Sequence, residues 1–319
     1  MPPGSGASRR STVPRVRSRR RASLVACVAL AACGRVGFSS MPGDGGADGA
    51  SLADAALGDG PGAACTAFPM AYQGTTTGHC YYLEAAQDPW TAGRDSCGAQ
   101  AGGHVVALET AAERMEIEAR TPVPHWIGLR DPDPTEGTYR WATGPVADTA
   151  GVWAPGEPDD DIQAGNEDCV WSVPGVGFGD RVCSYSGPII PGRVCEIEPW
   201  QVAADGHRYQ VLYVEVTQAD ADQRCAALGA HLATIGGQAE MDFIQSFTQG
   251  LELWIGLDDT ATEGTFVWQT GEPLTYEYWE PGEPGAADTA ENCVYKHMLG
   301  EWDDWECGRA SWGALCEID

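Results

Sequence analysis

The chain of 319 residues carries 46 acidic and 19 basic side chains, for a formal net charge of −27. Seven of its arginines lie within the first 32 residues, which contain no acid, so the remainder of the chain is more acidic still. A surface of this sign repels nucleic acids, heparin-like polymers and anionic membranes, whereas multivalent cations and neutral ligands remain compatible with it.

The N-terminal residues 1–32 have the three parts of an export signal: an Arg-rich stretch ending at Arg21, an apolar run from Leu24 to Ala32, and small residues at the end. The run is too short to span a bilayer. Its last residues, Leu30-Ala31-Ala32-Cys33, resemble the lipobox of bacterial lipoproteins, which implies a lipidated Cys33 and attachment to a membrane facing the periplasm or the exterior. The alternative is an ordinary cleaved signal peptide and a secreted protein.

Residues 33–64 consist mostly of Gly, Ala, Asp, Ser and Pro and show no apolar period, so they predict a flexible tether. Of the 12 cysteines, two lie in the apolar run and at the lipobox, at Cys27 and Cys33. The others are even in number, as expected for disulfides in an oxidising compartment. Because the chain has no C-x-x-C pair, structural bridges are favoured over a zinc ribbon or a thioredoxin-like site.

The rest of the chain repeats itself. Trp126–Leu129 returns as Trp254–Leu257, and Gly156–Pro158 returns as Gly282–Pro284. The cysteines keep the same order in both stretches. The repeat predicts two tandem domains, a first copy over residues 65–198 and a second copy over residues 199–319.

Each copy predicts a similar order of elements. A strand begins at Cys80 in the first copy and near His207 in the second. In the second copy Thr217 is placed as the N-cap of a helix that has Ala221, Cys225 and Leu228 on one face. A further helix follows, marked by the capping-box pair Thr110 and Glu113 in the first copy and by Met241, Ile244 and Phe247 in the second. The Trp-Ile-Gly-Leu runs predict buried strands, and long acidic loops over residues 130–168 and 258–292 follow them.

Taken together, the helix cysteine, Trp-Ile-Gly-Leu, Glu-Gly-Thr, Pro-Gly-Glu-Pro, Trp-Asp-Asp and terminal Cys-Glu motifs resemble the C-type lectin-like domain. The resemblance implies an α+β fold with two helices, small antiparallel sheets, a long loop region and framework disulfides in each copy. It implies the pairs Cys65–Cys80, Cys97–Cys195, Cys169–Cys183, Cys225–Cys316 and Cys293–Cys307. The additional Cys65–Cys80 pair makes the first copy similar to the long form of the domain.

The same resemblance implies a calcium site in each long loop. In calcium-binding members the ligands are carboxylates and amides of the loop and of the adjacent strands, which suits a cation that takes about six to eight oxygens. In the first copy these positions are Glu157, Asp159, Glu167 and Asp180. In the second copy they are Glu283, Glu291, Asp303 and Asp304. Gly179 and Gly285 stand where a further side-chain ligand belongs. The alternative is an acidic, solvated loop without calcium.

The tryptophans are divided by position. Those at matched places in the two copies, such as Trp126 and Trp254, are expected in the core. Trp302 and Trp305 stand beside the second loop site and are the candidates for stacking on a sugar ring.

The sequence thus predicts an exported, surface-tethered protein that binds carbohydrate through calcium. The alternative is a calcium-independent module that binds a protein. Partners are a glycan or protein ligand, with no nucleic acid and with a membrane only through the N-terminal anchor. No enzyme is expected, because the chain lacks a Gly-x-Ser-x-Gly or His-Glu-x-x-His motif. Four histidines occupy matched places, His79 with His207 and His104 with His231, as scaffold residues would.

Overall fold

The computed structural model describes residues 65, 68, 71–132, 137–159, 166–190, 192–285 and 290–319. The predicted signal peptide, the lipidation site Cys33 and the tether over residues 33–64 lie outside the described residues and stay predictions. The domain boundaries at residues 65, 198 and 199 also stay predictions.

Within the described residues, each copy contains two helices and eight strands. The first copy comprises β1 (Tyr72–Gln73), β2 (Cys80–Glu84), α1 (Trp90–Cys97), β3 (Gly103–Val105), α2 (Ala111–Arg120), β4 (His125–Arg130), β5 (Arg140–Trp141), β6 (Cys169–Val173), β7 (Gly177–Arg181) and β8 (Arg193–Ile197). The second copy comprises β9 (Gln201–Val202), β10 (Arg208–Val216), α3 (Gln218–Ala227), β11 (His231–Leu232), α4 (Gln238–Thr248), β12 (Leu253–Asp258), β13 (Val267–Trp268), β14 (Glu291–Lys296), β15 (Trp302–Glu306) and β16 (Trp312–Ile318).

Each copy forms its own mixed sheet of eight strands. The order is β1-β2-β8-β4-β6-β7 in the first copy, and the second repeats it as β9-β10-β16-β12-β14-β15. The α+β class is confirmed. The strands differ from the expected small antiparallel sheets, because β4 pairs in parallel with β8 and β12 with β16, and these pairings join all strands of a copy.

The Trp-Ile-Gly-Leu strands lie at the centre of the two sheets. Ile127 and Leu129 in β4 and Ile255 and Leu257 in β12 are all fully buried. Burying an aliphatic side chain contributes about 1.5–3 kcal/mol. These strands therefore form the core beside which the long loops emerge.

Two helices, α2 and α3, begin where the sequence predicts. The side chain of Thr110 accepts a hydrogen bond from Glu113 N at 3.1 Å, and that of Thr217 accepts one from Asp220 N at 3.1 Å. Cys225 is buried in α3, as its position on the apolar face predicts. Ala221 is buried on the same face, whereas Leu228, predicted on that face, lies just past the end of the helix.

Five disulfides connect the elements in the pairing that the resemblance implied. Cys97 at the end of α1 is joined to Cys195 in β8, and Cys225 in α3 is joined to Cys316 in β16. The pair Cys169–Cys183 has a sequence separation of 14 and joins the start of β6 to the segment after β7. In the chain-entropy account each bridge stabilises the fold by about 2–4 kcal/mol.

The junction between the copies is short, and residues of the first copy contact residues of the second. The first sheet ends at Ile197 and the second begins at Gln201. Gly102 N donates a hydrogen bond to Val211 O at 3.1 Å. The guanidinium of Arg94 lies 2.5 Å from the carboxylate of Glu215.

The single lysine of the chain is buried in the second copy. Lys296 is 0% exposed, and its Nζ donates hydrogen bonds to Gln245 Oε1 and to the carbonyl oxygens of Thr248, Leu251 and His297, at 3.0–3.2 Å. Burial lowers the pKa of Lys296 to about 7. The ammonium is thus held by neutral acceptors at a position equivalent to Ser172 of the first copy.

The buried lysine predicts a pH dependence of stability. Between pH 7 and the ordinary value of 10.5, the unfolded chain holds a proton on Lys296 that the folded chain has released. The free energy of unfolding therefore rises with pH in this window, by up to about 1.4 kcal/mol per pH unit. Urea unfolding measures this effect. The free energy of unfolding of the wild-type protein minus that of Lys296→Met should increase from pH 7 to pH 9. Replacing the exposed Arg309 by Met should give a difference that does not change with pH, and a flat profile for Lys296→Met would contradict the assignment.

The central glycines predict a second effect on stability. A Cβ at Gly128 would collide with Val105 O, and one at Gly256 would lie 2.8 Å from Leu232 O. Because both obstacles are backbone atoms, Gly128→Ala and Gly256→Ala should each destabilise the protein by about 1–3 kcal/mol. At Gly308 a Cβ would meet no atom within 4 Å, so Gly308→Ala is the matched control. Thermal denaturation should give lower melting temperatures for Gly128→Ala and Gly256→Ala than for Gly308→Ala. Equal melting temperatures of the three variants would refute this prediction.

Candidate metal centre in the long loops

In the first copy three predicted carboxylates converge. Glu157, Asp159 and Asp180, hereafter the first acid triad, each offer an oxygen, and these oxygens lie within 4.8 Å of one another. Glu157 precedes a cis peptide bond to Pro158 in the loop, whereas Asp180 lies in β7 and is 1% exposed. Asp159 N donates a hydrogen bond to Asp180 Oδ1 at 3.2 Å. The loop backbone thus holds Asp159 against the strand acid.

The electrostatics of this triad are those of crowded like charges. Burial, a hydrogen bond with Asp180 and the charges of Asp180 and Asp159 together raise the pKa of Glu157 to about 7. Glu157 Oε2 is buried and has no hydrogen-bond partner among the described residues. An unpartnered buried oxygen in an acid cluster is the arrangement that a divalent cation relieves.

The second copy repeats the arrangement. Glu283, Asp303 and Asp304, the second acid triad, also bring their oxygens within 4.8 Å of one another. Glu283 again precedes a cis peptide bond to proline. Burial raises the pKa of Asp304 to about 6, opposed by hydrogen bonds from backbone N–H groups and reinforced by the charges of Glu283 and Asp303.

Two predicted ligands do not join the triads. Glu167 is 4% exposed, and its carboxylate lies 3.9 Å from the guanidinium of Arg181. Glu291 opens β14 and pairs in register with Glu306. Among the described residues, neither belongs to the groups of acids whose oxygens lie within 4.8 Å of one another. The structure therefore assembles three of the four predicted positions in each copy.

The missing ligand of the first copy is replaced by an aromatic ring. A Cβ built at Gly179 would lie 2.7 Å from Trp171 Nε1 and 3.3 Å from Glu157 Cδ. The indole of Trp171 therefore fills the space that a larger side chain would need. The equivalent residue of the second copy, Tyr295, donates a hydrogen bond to Asp303 at 2.7 Å. The sequence analysis did not single out Trp171 or Tyr295. Both stand two residues after a framework cysteine, Cys169 or Cys293, and this matched position could have indicated a shared role.

The two copies differ in charge beside the triads. Arg181 follows Asp180 directly and lies 5.8 Å from the centre of the Trp171 ring. The matched residue after Asp304 is Trp305, which is uncharged. Hence the first copy has a guanidinium beside Glu167, and the second copy has none at the matched position.

The structure corrects one predicted ligand-binding residue. Trp302 is 0% exposed, and its ring packs edge-on against Trp268, Trp279 and Tyr276 at 5.6–5.9 Å. Its faces are covered by the core, so it does not offer a stacking surface. Trp305 is partly exposed and packs beside Trp312, at 5.8 Å between ring centres, with the guanidinium of Arg309 5.7 Å from the centre of its ring.

Comparison with known proteins decides the family. The family model of the lectin C-type domain matches residues 86–195 and 214–318. The chain belongs to the C-type lectin domain family. Within this family it is similar to human C-type mannose receptor 2, with 28% identity over 232 residues that cover 65% of the chain and 15% of the receptor. It is also similar to lectin BRA-3 of Megabalanus rosa, with 37% identity over 123 residues that cover 37% of the chain and 75% of that lectin.

Among solved structures the chain is similar to the cow CD23 carbohydrate-recognition domain, crystallised in the presence of a GlcNAc2Man3 oligosaccharide. The identity is 33%, the match covers 38% of this C-type lectin chain and 93% of the CD23 domain, and the TM-score is 0.35. By contrast, the chain spans only a small part of the mannose receptor. The comparisons thus concern the domains rather than the whole of such receptors.

The opposite environments of the two tryptophans predict different effects of truncation. Trp302→Ala should lower the free energy of unfolding by about 3–5 kcal/mol, because it removes a fully enclosed ring. Trp305→Ala should cost less, because part of that ring is already in water. Urea unfolding of both variants measures the difference. A Trp302→Ala protein as stable as the parent would show that the ring does not serve the core.

Proposed function

We propose that the two domains bind carbohydrate through calcium held by the acid triads. The observation that carries this proposal is that each copy brings a loop glutamate and strand aspartates within 4.8 Å of one another. These residues occupy the motif positions that the family resemblance assigns to calcium. The similarity to lectin BRA-3 supports the same interpretation.

The donor set fits a hard divalent cation. Calcium binds through oxygen atoms and takes about six to eight of them. Three carboxylates supply part of that shell and leave positions for ligand hydroxyls. Burial, reinforced by charge repulsion, raises the pKa of Glu157 and Asp304, and a positive charge at the same place would offset both effects.

The same side chains restrict how a sugar can bind. An ionised aspartate only accepts hydrogen bonds, whereas an asparagine amide also donates them. At Asp159 and Asp303, a bound sugar must therefore present hydroxyl groups as donors. When bound, calcium would supply a charge that polarises these hydroxyls, and the carboxylates would orient them.

The copies are proposed to be unequal. In the first copy Arg181 lies near Glu167 and adds a positive charge that opposes cation binding. The second copy has Trp305 instead of the guanidinium. We therefore assign the tighter calcium site to the second acid triad.

The proposed setting is the outside of the cell. The Arg-rich head and the lipobox support export and anchoring through Cys33, and the composition of residues 33–64 supports a flexible tether between the anchor and the two domains. Among the described helices, none is both long and apolar enough to cross a membrane. Two domains on one tether suit repetitive polymers, because a second binding event then occurs at high effective concentration.

A second candidate function is calcium-independent binding of a protein. It is favoured by Gly179 and Gly285, which offer no side-chain ligand, and by the guanidinium that Arg181 places near Glu167. Under this alternative the loops would act as a surface for a protein partner without a metal.

Calcium titration of the chelator-stripped full chain tests the leading proposal. We expect a tighter site that is lost in Glu283→Gln and a weaker site that is lost in Glu157→Gln, because each change removes one carboxylate from its triad. Isothermal calorimetry measures both. Glu272→Gln is the control, since it removes the same charge from an exposed position in the second loop.

Binding to an immobilised glycan array completes this test. Retention that disappears in chelator and in the two variants supports the calcium-dependent lectin. No heat at millimolar calcium, together with ligand retention that ignores chelator, would favour the second candidate.

A further inference from the structure

The second copy contains a cluster of one histidine and two glutamates that lies outside the acid triads. Glu280 belongs to the long loop, His297 follows β14, and Glu301 precedes β15. These three residues, hereafter the hairpin cluster, each offer a ligand atom, and these atoms lie within 4.8 Å of one another. All three side chains are partly exposed, so an ion can reach them from solvent.

Two polar atoms of the hairpin cluster are buried without a hydrogen bond. They are His297 Nδ1 and Glu301 Oε2, and neither has a hydrogen-bond partner among the described residues. His297 Nδ1 lies 3.1 Å from Glu280 Oε1, but the two atoms are not aligned for a hydrogen bond. Leaving buried polar atoms unpaired is unfavourable. A cation bound among the three side chains would give both atoms a partner.

Ion pairing within the protein does not account for Glu301. The ammonium of the adjacent Lys296 has three N–H donors, and these are used by Gln245 and by three carbonyl oxygens. A protonated His297 would explain the short contact with Glu280. It would still leave Glu301 Oε2 buried and unpaired.

Backbone hydrogen bonds hold the hairpin cluster in place. His297 N donates to Glu301 O at 2.7 Å across the turn between β14 and β15. Glu280 N donates to Trp302 O at 2.9 Å. The loop that carries Glu280 is thus fixed to the hairpin that carries the other two residues. Less ordering is needed on binding when the ligands are already held together.

The first copy has the same backbone arrangement without these side chains. Ala154 N donates to Phe178 O at 2.8 Å, as Glu280 N does to Trp302 O in the second copy. This hydrogen bond and the register of β6 with β7 place Ala154, Val173 and Gly177 at the positions of the hairpin cluster. None of these three side chains can bind a metal. The fold itself therefore does not require the residues of the cluster.

We propose that the hairpin cluster binds a divalent transition-metal ion of the zinc class. The ligands are His297 through Nδ1 and the carboxylates of Glu280 and Glu301. An imidazole together with carboxylates suits zinc, whereas calcium takes oxygen ligands. Four-coordinate zinc with bonds of about 2.0–2.2 Å holds its ligand atoms about 3.4 Å apart, and three protein ligands leave one position for water.

The other imidazole nitrogen of His297 faces a carboxylate. His297 Nε2 lies 3.5 Å from Glu252 Oε1. Glu252 Oε2 in turn accepts a hydrogen bond from Trp312 Nε1 at 2.9 Å. Metal-bound histidines usually direct their second ring N–H at a carboxylate or carbonyl that is itself held in place. Glu252 therefore stands where an outer-shell partner of the metal is expected.

Zinc titration of the full chain at pH 7.5, with calcium in excess to fill any oxygen-only sites, tests the proposal. We expect a single tight zinc site per chain. His297→Val and Glu280→Ala introduce the residues that the first copy has at the matched places, so the fold should tolerate them. Each should weaken zinc binding by about 100-fold or more, because the loss of an outer-shell partner alone costs about 10–100-fold. Isothermal calorimetry measures the affinities.

Two control variants should keep the zinc site. Glu283→Gln alters the second acid triad, so loss of the calcium heat with retention of zinc would separate this proposal from the calcium site. His207→Gln removes a histidine that lies 2.6 Å from Glu317. Zinc binding that depends on His207 rather than on His297 would contradict the assignment.

Chemical modification of the wild-type chain gives a readout that does not depend on a variant. Zinc, but not calcium, should protect His297 from diethyl pyrocarbonate, whereas His207, which is also partly exposed, should stay reactive. Mass spectrometry of the peptides measures both. No zinc binding at about 100-fold excess metal, zinc affinity unchanged in His297→Val, or an unprotected His297 in the zinc-loaded chain would each overturn the proposal.

Discussion

The structure depends on one pairing in each copy, the parallel contact between the Trp-Ile-Gly-Leu strand and the C-terminal strand. β4 lies beside β8, and β12 lies beside β16. The long loop follows the Trp-Ile-Gly-Leu strand of this pair. A disulfide joins the first helix of each copy to the C-terminal strand of the pair. Gly128 and Gly256 allow neighbouring backbone to pass where a side chain would collide. The long loops can be irregular because this frame, a strand pair and its disulfide, holds the core strands together.

The frame also explains why acids can be forced together. Asp180 and Asp304 lie on strands and are 1% and 3% exposed, so they cannot move away from the loop glutamates into water. A free loop would separate like charges, whereas a clamped one retains them. The raised pKa values of Glu157 and Asp304 are the cost of that retention, and proteins often keep such a cost at a binding site.

Much of the fold could be predicted because its determinants are local or periodic. The caps at Thr110 and Thr217, the buried face of Cys225 and the repeated Trp-Ile-Gly-Leu strands each follow from short-range pattern. The parallel pairing of β4 with β8 could not be derived, because it joins segments more than 60 residues apart through a contact that leaves no periodic signal.

The site was harder to predict because it depends on what each side chain meets in space. Trp302 stands next to two acids in the sequence, but it is covered by Trp268, Trp279 and Tyr276, which are distant along the chain. Glu167 occupies a motif position and yet lies near Arg181. Charge and aromaticity can be read from the sequence, whereas the partner that covers or neutralises a residue cannot.

The short junction between the two sheets has a consequence for recognition. Only residues 198–200 separate Ile197 from Gln201, and the ion pair of Arg94 with Glu215 bridges the copies. These contacts limit how far the two long loops can move relative to each other. If both acid triads bind sugars as proposed, such a pair would discriminate among polymers by the interval between their repeating units, so that two ligands with identical sugars but different spacing would differ in affinity.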